Sequence, residues 1–235
     1  MNAGDIQRIV FLVSGGGGNL RFIHQAIVQG QLPDAELVGV VADRECEALA
    51  YCDVHRIPVY PIHYTRAEPH ALRAALRELR PDVIVTNIHK ILDADTVGAF
   101  SGRMINLHYS LLPSFGGVIG AEPVRLALEQ GCKIVGTTVH YVSEAVDAGE
   151  IISQSAIPVH THNLEHLMSD VFRSGCVNLL SAIGSLGKRA GHVQTRPTGF
   201  VSPHASFRAE DFSEEFWTTV AASRERQTLS RKTAP

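Results

Sequence analysis

Asn106 and His108 are the residues whose types and spacing could do chemistry on a carbonyl group. They interrupt an apolar run, Met104-Ile105-Asn106-Leu107-His108-Tyr109. On a strand, residues i and i+2 point to the same face, so an amide and an imidazole project side by side. Both can donate hydrogen bonds to an oxygen that gains charge as its carbon is attacked, and the imidazole can also move a proton. Ser110-Leu111-Leu112-Pro113 and then Gly116-Gly117 stop the strand. The pair therefore sits near a strand terminus, where open α/β sheets bind ligands. An isolated Asn-x-His is equally what a polar strand end with satisfied side chains looks like, and the other motifs must decide.

The elements that position this pair follow from periodicity. Residues 9–13 (Ile-Val-Phe-Leu-Val) form a continuous run of β-formers, as expected of a strand covered on both faces. Ser14-Gly15-Gly16-Gly17-Gly18-Asn19 follows at once, then Leu20, Ile23 and Ile27 at helical spacing. A glycine loop leading into a helix lets backbone N–H groups approach an anion, and Asn19 is placed to cap that helix. A dinucleotide fingerprint needs a third glycine near position 20, where Leu20 stands, and a triphosphate loop needs Gly-Lys-Ser/Thr. A monophosphate or carboxylate site and a plain tight turn stay open. Gly16, Gly17, Gly18 and Asn19 are the candidate donors.

Further strands are expected at 36–42, 59–62, 83–86, 135–142 and 151–159. Helices are expected at 44–55, 71–79, 95–100, 122–130 and 163–183. Asp43 is either a ribose partner or, more economically, the cap of the helix that follows it. Alternation of β and α predicts a parallel sheet for the first hundred residues or so, and the β-rich second half predicts an antiparallel pair. From Gly187 onward, Pro197, Gly199 and Pro203 break the chain. A charged helix at 210–224 then carries Phe212, Phe216 and Trp217, expected to dock on the body, and residues 228–235 are expected to fray. The chain divides into 7–186 and an extension, 187–235.

The formal charge of −3 gives no reason to expect a nucleic-acid partner. Cys46, Cys52, Cys132 and Cys176 form no C-x-x-C pair and suit reduced thiols in a cytoplasmic protein. No signal peptide and no membrane span is legible. His160, His162 and His166 lack the geometry of a metal site, and none is expected.

Three motifs in collinear order carry a resemblance: Ser14-Gly15-Gly16-Gly17-Gly18-Asn19-Leu20, Asn106-Leu107-His108-Tyr109-Ser110-Leu111-Leu112-Pro113, and Gly136-Thr137-Thr138-Val139-His140-Tyr141-Val142 with Asp147-Ala148-Gly149-Glu150. Over about residues 7–185 the chain resembles the formyltransferases that use 10-formyltetrahydrofolate, most of all those acting on phosphoribosylglycinamide. The resemblance implies a Rossmann-like α/β fold, with a mostly parallel twisted sheet and helices on both faces. It implies that Asn106 polarises the formyl oxygen, that His108 stabilises the oxyanion, and that Asp147 holds His108 and accepts a proton from the amine. His140 and Ser110 are supporting residues. The folate donor would lie along Ile88, His89, Lys90, Ile91 and Leu92 and along Ser143, Glu144, Ala145 and Val146, largely on backbone groups. The glycine loop and Arg66 would hold a small-molecule amine. A glutamate of that branch, expected to meet the amine from the late helix, corresponds to Gly175, with Phe172 beside it.

The glycine loop, the late helix and the segment 114–122 depart from the pattern, which predicts either phosphoribosylglycinamide or another amine as acceptor. A formyltetrahydrofolate hydrolase shares the same three residues but resembles a protein with an N-terminal regulatory domain, which is not expected here. Formylation of a transfer RNA calls for a basic surface and a larger C-terminal domain. A non-catalytic nucleotide-binding protein of Rossmann type is the remaining alternative. The expected assembly is a monomer or homodimer.

Overall fold

A computed structural model describes residues 6–187 and 211–221. Seven strands form one sheet: β1 (Gln7–Val13), β2 (Ala35–Ala42), β3 (Val59–Pro61), β4 (Val83–Asn87), β5 (Met104–His108), β6 (Ile134–Tyr141) and β7 (Ile151–Pro158). Their order is β3-β2-β1-β4-β5-β6-β7. Pairings are parallel from β3 to β5, and β6 and β7 complete the sheet antiparallel. The expected parallel half and antiparallel pair are both present.

Helices cover both faces: α1 (Gly18–Val28), α2 (Glu47–His55), α3 (His70–Leu79), α4 (Ala94–Ala99), α5 (Glu122–Glu129), α6 (Leu164–Leu186) and α7 (Glu214–Ala221). Strand alternation sorts the core. Ile9, Phe11 and Val13 of β1 pack with α1, α2 and α6, while Val10 and Leu12 pack with α3 and α4. Both faces of β1 are buried, which is why its sequence is apolar without alternation. Asn163 accepts from the His166 N–H at 3.0 Å and starts α6 as expected.

Two expected caps are not made. The α1 cap is Gly17, at φ 69°, and Asn19 lies inside the helix. Asp43 does not cap α2, which begins at Glu47 after Cys46. Both polar side chains are instead drawn into contacts across the sheet ends, described below.

The C-terminal aromatics dock as expected. Phe212, Phe216 and Trp217 surround Phe22 of α1 with centroid separations of 5.1, 5.2 and 5.4 Å. The Arg173 guanidinium of α6 lies 5.1 Å from the Trp217 ring centroid. The expected breaks at Pro197, Gly199 and Pro203 and the fraying of 228–235 lie outside the described residues. Among the described residues, no helix is long and apolar enough to cross a membrane.

Phe22 is fully buried and touches all three aromatics. Phe22→Ala should therefore cost about 3–5 kcal/mol in urea unfolding. A loss below about 1 kcal/mol would show that the aromatic cluster does not hold α7 on α1.

Candidate active site

The carboxyl ends of β1, β4 and β5 open into a cavity of about 390 Å³. Asn106 and His108 reach it from β5. Antiparallel register places His140 opposite Asn106 and Thr138 opposite His108. A register shift at Val139/His140, where β6 meets β7, lies beside this pair. Asp147 enters from the loop that joins those two strands.

The four side chains form one network. His108 Nδ1 lies 3.4 Å from Asp147 Oδ2, and its Nε2 lies 3.0 Å from the Phe115 carbonyl. Both partners only accept, so a ring with both nitrogens protonated satisfies them together. His140 Nδ1 donates to the Tyr141 carbonyl at 2.8 Å. Its Nε2 stands 3.4 Å from Asn106 Nδ2 and 3.5 Å from Asp147 Oδ1. Unprotonated, that nitrogen accepts from Asn106; protonated, it donates to Asp147. The Thr86 hydroxyl lies 3.1 Å from the Ile105 carbonyl and 3.3 Å from Asn106 Oδ1.

Asp147 has a left-handed backbone, φ 54°, a conformation aspartate tolerates better than most residues. Burial alone would raise its carboxyl pKa. Hydrogen bonds from His140 and from the Gly117 N–H, with the charges of His108 and His140, instead bring it below the ordinary aspartate value.

Ser110 supports the turn that follows. Its hydroxyl donates to the Ser114 carbonyl at 2.5 Å, and its own carbonyl accepts from Thr138 Oγ1 at 2.7 Å. Gln154 Nε2 donates to the Leu112 carbonyl and to Thr138 Oγ1, at 3.0 and 2.9 Å.

Gly16, Gly17, Gly18 and Asn19 also line the cavity. A Cβ on Gly17 would fall 2.8 Å from Ala48 Cβ, and the positive φ there also requires glycine. A Cβ on Gly18 would fall 2.9 Å from two Phe172 ring carbons, so α6 presses on the loop through that ring. Ser14 ties the loop to its neighbours: its hydroxyl donates to Asp43 at 2.6 Å and accepts from the His89 N–H at 2.9 Å. This contact, with the Arg44 ion pair, is what Asp43 makes in place of the expected cap.

Ile88, His89, Lys90, Ile91 and Leu92 line the cavity, as do Ser143, Glu144, Ala145 and Val146. Ile91 and Val146 are exposed there, giving the mouth an apolar rim together with Ile119, which the sequence did not flag. The His89 imidazole leans towards the glycine loop, 3.8 Å from the position of a Gly15 Cβ.

Two expected residues are elsewhere. Arg66 is exposed on the turn bridged by Thr65 and Glu68 and does not line the cavity. Gly175 packs beneath the sheet, where a Cβ would meet Tyr109, Leu107 and Thr137 at 3.1–3.2 Å. Phe172, one helical turn earlier, is the α6 residue in the cavity. Sequence reading also missed Thr86 and Asn87. The signal was present as two polar residues ending an apolar strand. Asn87 Oδ1 accepts from Asn19 Nδ2 at 3.4 Å, and Cys176 Sγ lies 3.5 Å from Asn19 Oδ1. His160 pairs with Asp170 at 3.3 Å.

An amide and an imidazole beside a carboxylate, at the ends of a mostly parallel sheet, define an α/β protein equipped to act on a carbonyl carbon. More particularly, the chain belongs to the formyl transferase family, whose profile matches residues 7–182. It is 32% identical over 162 residues to a chloroplastic phosphoribosylglycinamide formyltransferase of Arabidopsis thaliana, covering 65% of this chain and 56% of that protein. It is 34% identical over 168 residues to a formyltetrahydrofolate deformylase of Haemophilus influenzae, covering 69% and 59%. The chain thus spans less than two thirds of the length of either relative. The crystal structure of glycinamide ribonucleotide transformylase 1 from Symbiobacterium toebii matches with a TM-score of 0.71 and 30% identity, over 77% of this chain and 87% of that one.

A carboxyl whose folded pKa is depressed stabilises the fold above its unfolded value and loses that contribution as pH falls through the folded one. Asp147→Asn should therefore unfold at lower urea than wild type near pH 7, and the gap should close below the ordinary aspartate value of 3.8. An equal gap at about pH 7 and about pH 3 would show that the carboxylate's charge contributes nothing.

Proposed function

We propose that this protein transfers the formyl group of 10-formyltetrahydrofolate to the amine of a small anionic molecule. The observation that carries this reading is the convergence of Asn106, His108 and Asp147 in a cavity that the glycine loop also lines. The apolar rim and the backbone of residues 88–92 and 143–147 suit a flat, largely apolar donor. The glycine loop and the α1 N-terminus suit the acceptor's anionic group.

The neutral amine attacks the formyl carbon, and the carbonyl oxygen becomes an oxyanion. Asn106 donates an N–H to that oxygen. His108 donates to it as charge develops, giving up its bond to the Phe115 carbonyl. Asp147 takes the proton that the new carbon–nitrogen bond makes acidic. His108 delivers a proton to nitrogen 10 of the folate as the old bond breaks. The products are a formamide and tetrahydrofolate, with the proton count unchanged. Asp147, kept ionised by its donors, is a base available across the neutral range.

Phosphoribosylglycinamide meets the anion requirement. The Phe172 ring, however, offers its body no hydrogen bond, and hydroxyls facing it stay unmatched. An amine with an apolar surface at that point fits the ring better.

The test is to mix protein, 10-formyltetrahydrofolate and phosphoribosylglycinamide and follow release of free folate by absorbance. Fast, amine-dependent release identifies that amine. Release without any amine would put water in its place, as the deformylase relative's name describes. Saturable folate binding without release keeps the donor and directs the search to other amines. No folate binding would overturn the reading. With a working acceptor, Asn106→Ala should lower kcat by about 10²–10³, as for loss of one oxyanion donor. An unchanged kcat would remove Asn106 from the mechanism.

A further inference from the structure

We propose that Thr86 is a positioning residue for formyl transfer: its hydroxyl fixes the Asn106 amide so that an N–H, and not the carbonyl oxygen, faces the formyl oxygen. The inference rests on the formyl-transfer reading above. The register supplies the first half of the argument. β4 and β5 pair in parallel, Ile84 with Met104 and Val85 with Ile105. One step further, Thr86 stands beside Asn106 on the same face, and its hydroxyl reaches the Ile105 carbonyl at 3.1 Å and Asn106 Oδ1 at 3.3 Å. Its one proton is shared between them.

A primary amide is nearly symmetric in shape but opposite in polarity at its two ends. Turned over, Asn106 would aim a carbonyl oxygen at the developing oxyanion and repel it. Two contacts hold the amide against that rotation: Thr86 at the oxygen and His140 Nε2 at the nitrogen, 3.4 Å away. The second is conditional. His140 Nδ1 is committed to the Tyr141 carbonyl, so Nε2 accepts from Asn106 only while unprotonated. When a proton reaches Nε2, its partner becomes Asp147 Oδ1 at 3.5 Å, and the amide loses that hold. A threonine hydroxyl does not titrate, so Thr86 keeps the amide oriented in both states.

Its burial fits this role. Thr86 is 8% exposed and lies in the wall of the cavity, on a strand otherwise built from Val and Ile up to that point. Valine has the same shape and the same β preference, so the strand has no need of the hydroxyl. Of the hydroxyl's two partners, the Ile105 carbonyl and the Asn106 amide, only the amide belongs to a residue that lines the cavity.

The test needs no acceptor. One folate analogue carries carbon in place of nitrogen 10, bearing an aldehyde whose hydrate imitates the tetrahedral centre; a second lacks the aldehyde. Affinities for both are measured by calorimetry on wild type, Thr86→Val and Thr86→Ser. Wild type should prefer the aldehyde analogue. Thr86→Val should lose about tenfold or more of that preference, while binding the aldehyde-free analogue within about twofold of wild type. Thr86→Ser should restore most of it. Full preference in Thr86→Val, or an equal fall for both analogues, would overturn the proposal. If wild type itself shows no preference, or binds neither analogue, the formyl-transfer reading fails, and this inference falls with it.

Discussion

The antiparallel pairing of β5 with β6 is the constraint on which the site depends. It sets Asn106 against His140 and His108 against Thr138. A one-residue slip of β5 would send Asn106 and His108 to the opposite face of the sheet, away from His140 and Thr138, because strand side chains alternate with a period of two. Apolar neighbours forbid the slip: Ile105 and Leu107 fill the core on the far face, opposite Tyr141 and Val139. The polar groups are thus placed by the burial of the apolar ones between them. Thr138 and Gln154 extend the control past the strand end by holding the backbone of residues 110–112. The chain therefore leaves β5 in a fixed direction, with His108 just behind the turn.

Asp147 then joins pieces that the sheet leaves separate. Its carboxylate accepts from the Gly117 N–H at 2.8 Å and faces both imidazoles. The loop after β5 and the loop after β6 consequently meet on one charge. A proton gained or lost by either histidine changes the hold on both loops. The left-handed backbone at Asp147 is the local cost of bringing a carboxylate to that point.

How much of this was legible follows from what determines each placement. The strands, the antiparallel half and the Asn-x-His pair were legible because local periodicity decides them. The cap of α6 was legible because Asn163 bonds three residues ahead in its own helix. Asn19 and Asp43 do not cap their helices because each is engaged by a residue distant in sequence: Asn87 for the first and Ser14 for the second. Gly175 was placed by motif alignment, whereas the helical turn decides which residue faces the cavity. From the β5 side of α6, position 172 points to the loop and position 175 to the underside of the strands. Arg66 stands on an exposed turn outside the cavity lining, and local sequence does not decide which way a long exposed side chain points. Thr86 was missed because its significance is a hydrogen bond to a residue twenty positions away.

Strand alternation also separates the two tasks of the site. Thr86, Asn106 and His108 lie on the face packed by α3 and α4, with Met104 and Ile84 behind them. Asn87 and Phe172 lie on the face packed by α1 and α6, beside the glycine loop. In the proposed reaction, carbonyl activation is built on one face and acceptor recognition on the other, and they meet only where β4 and β5 end. A substitution on α6 can then reshape the glycine-loop end without reaching the amide or the imidazole. This is why the reaction is read from Asn106, His108 and Asp147, while the acceptor has to be read from Phe172, Asn87 and the loop they enclose.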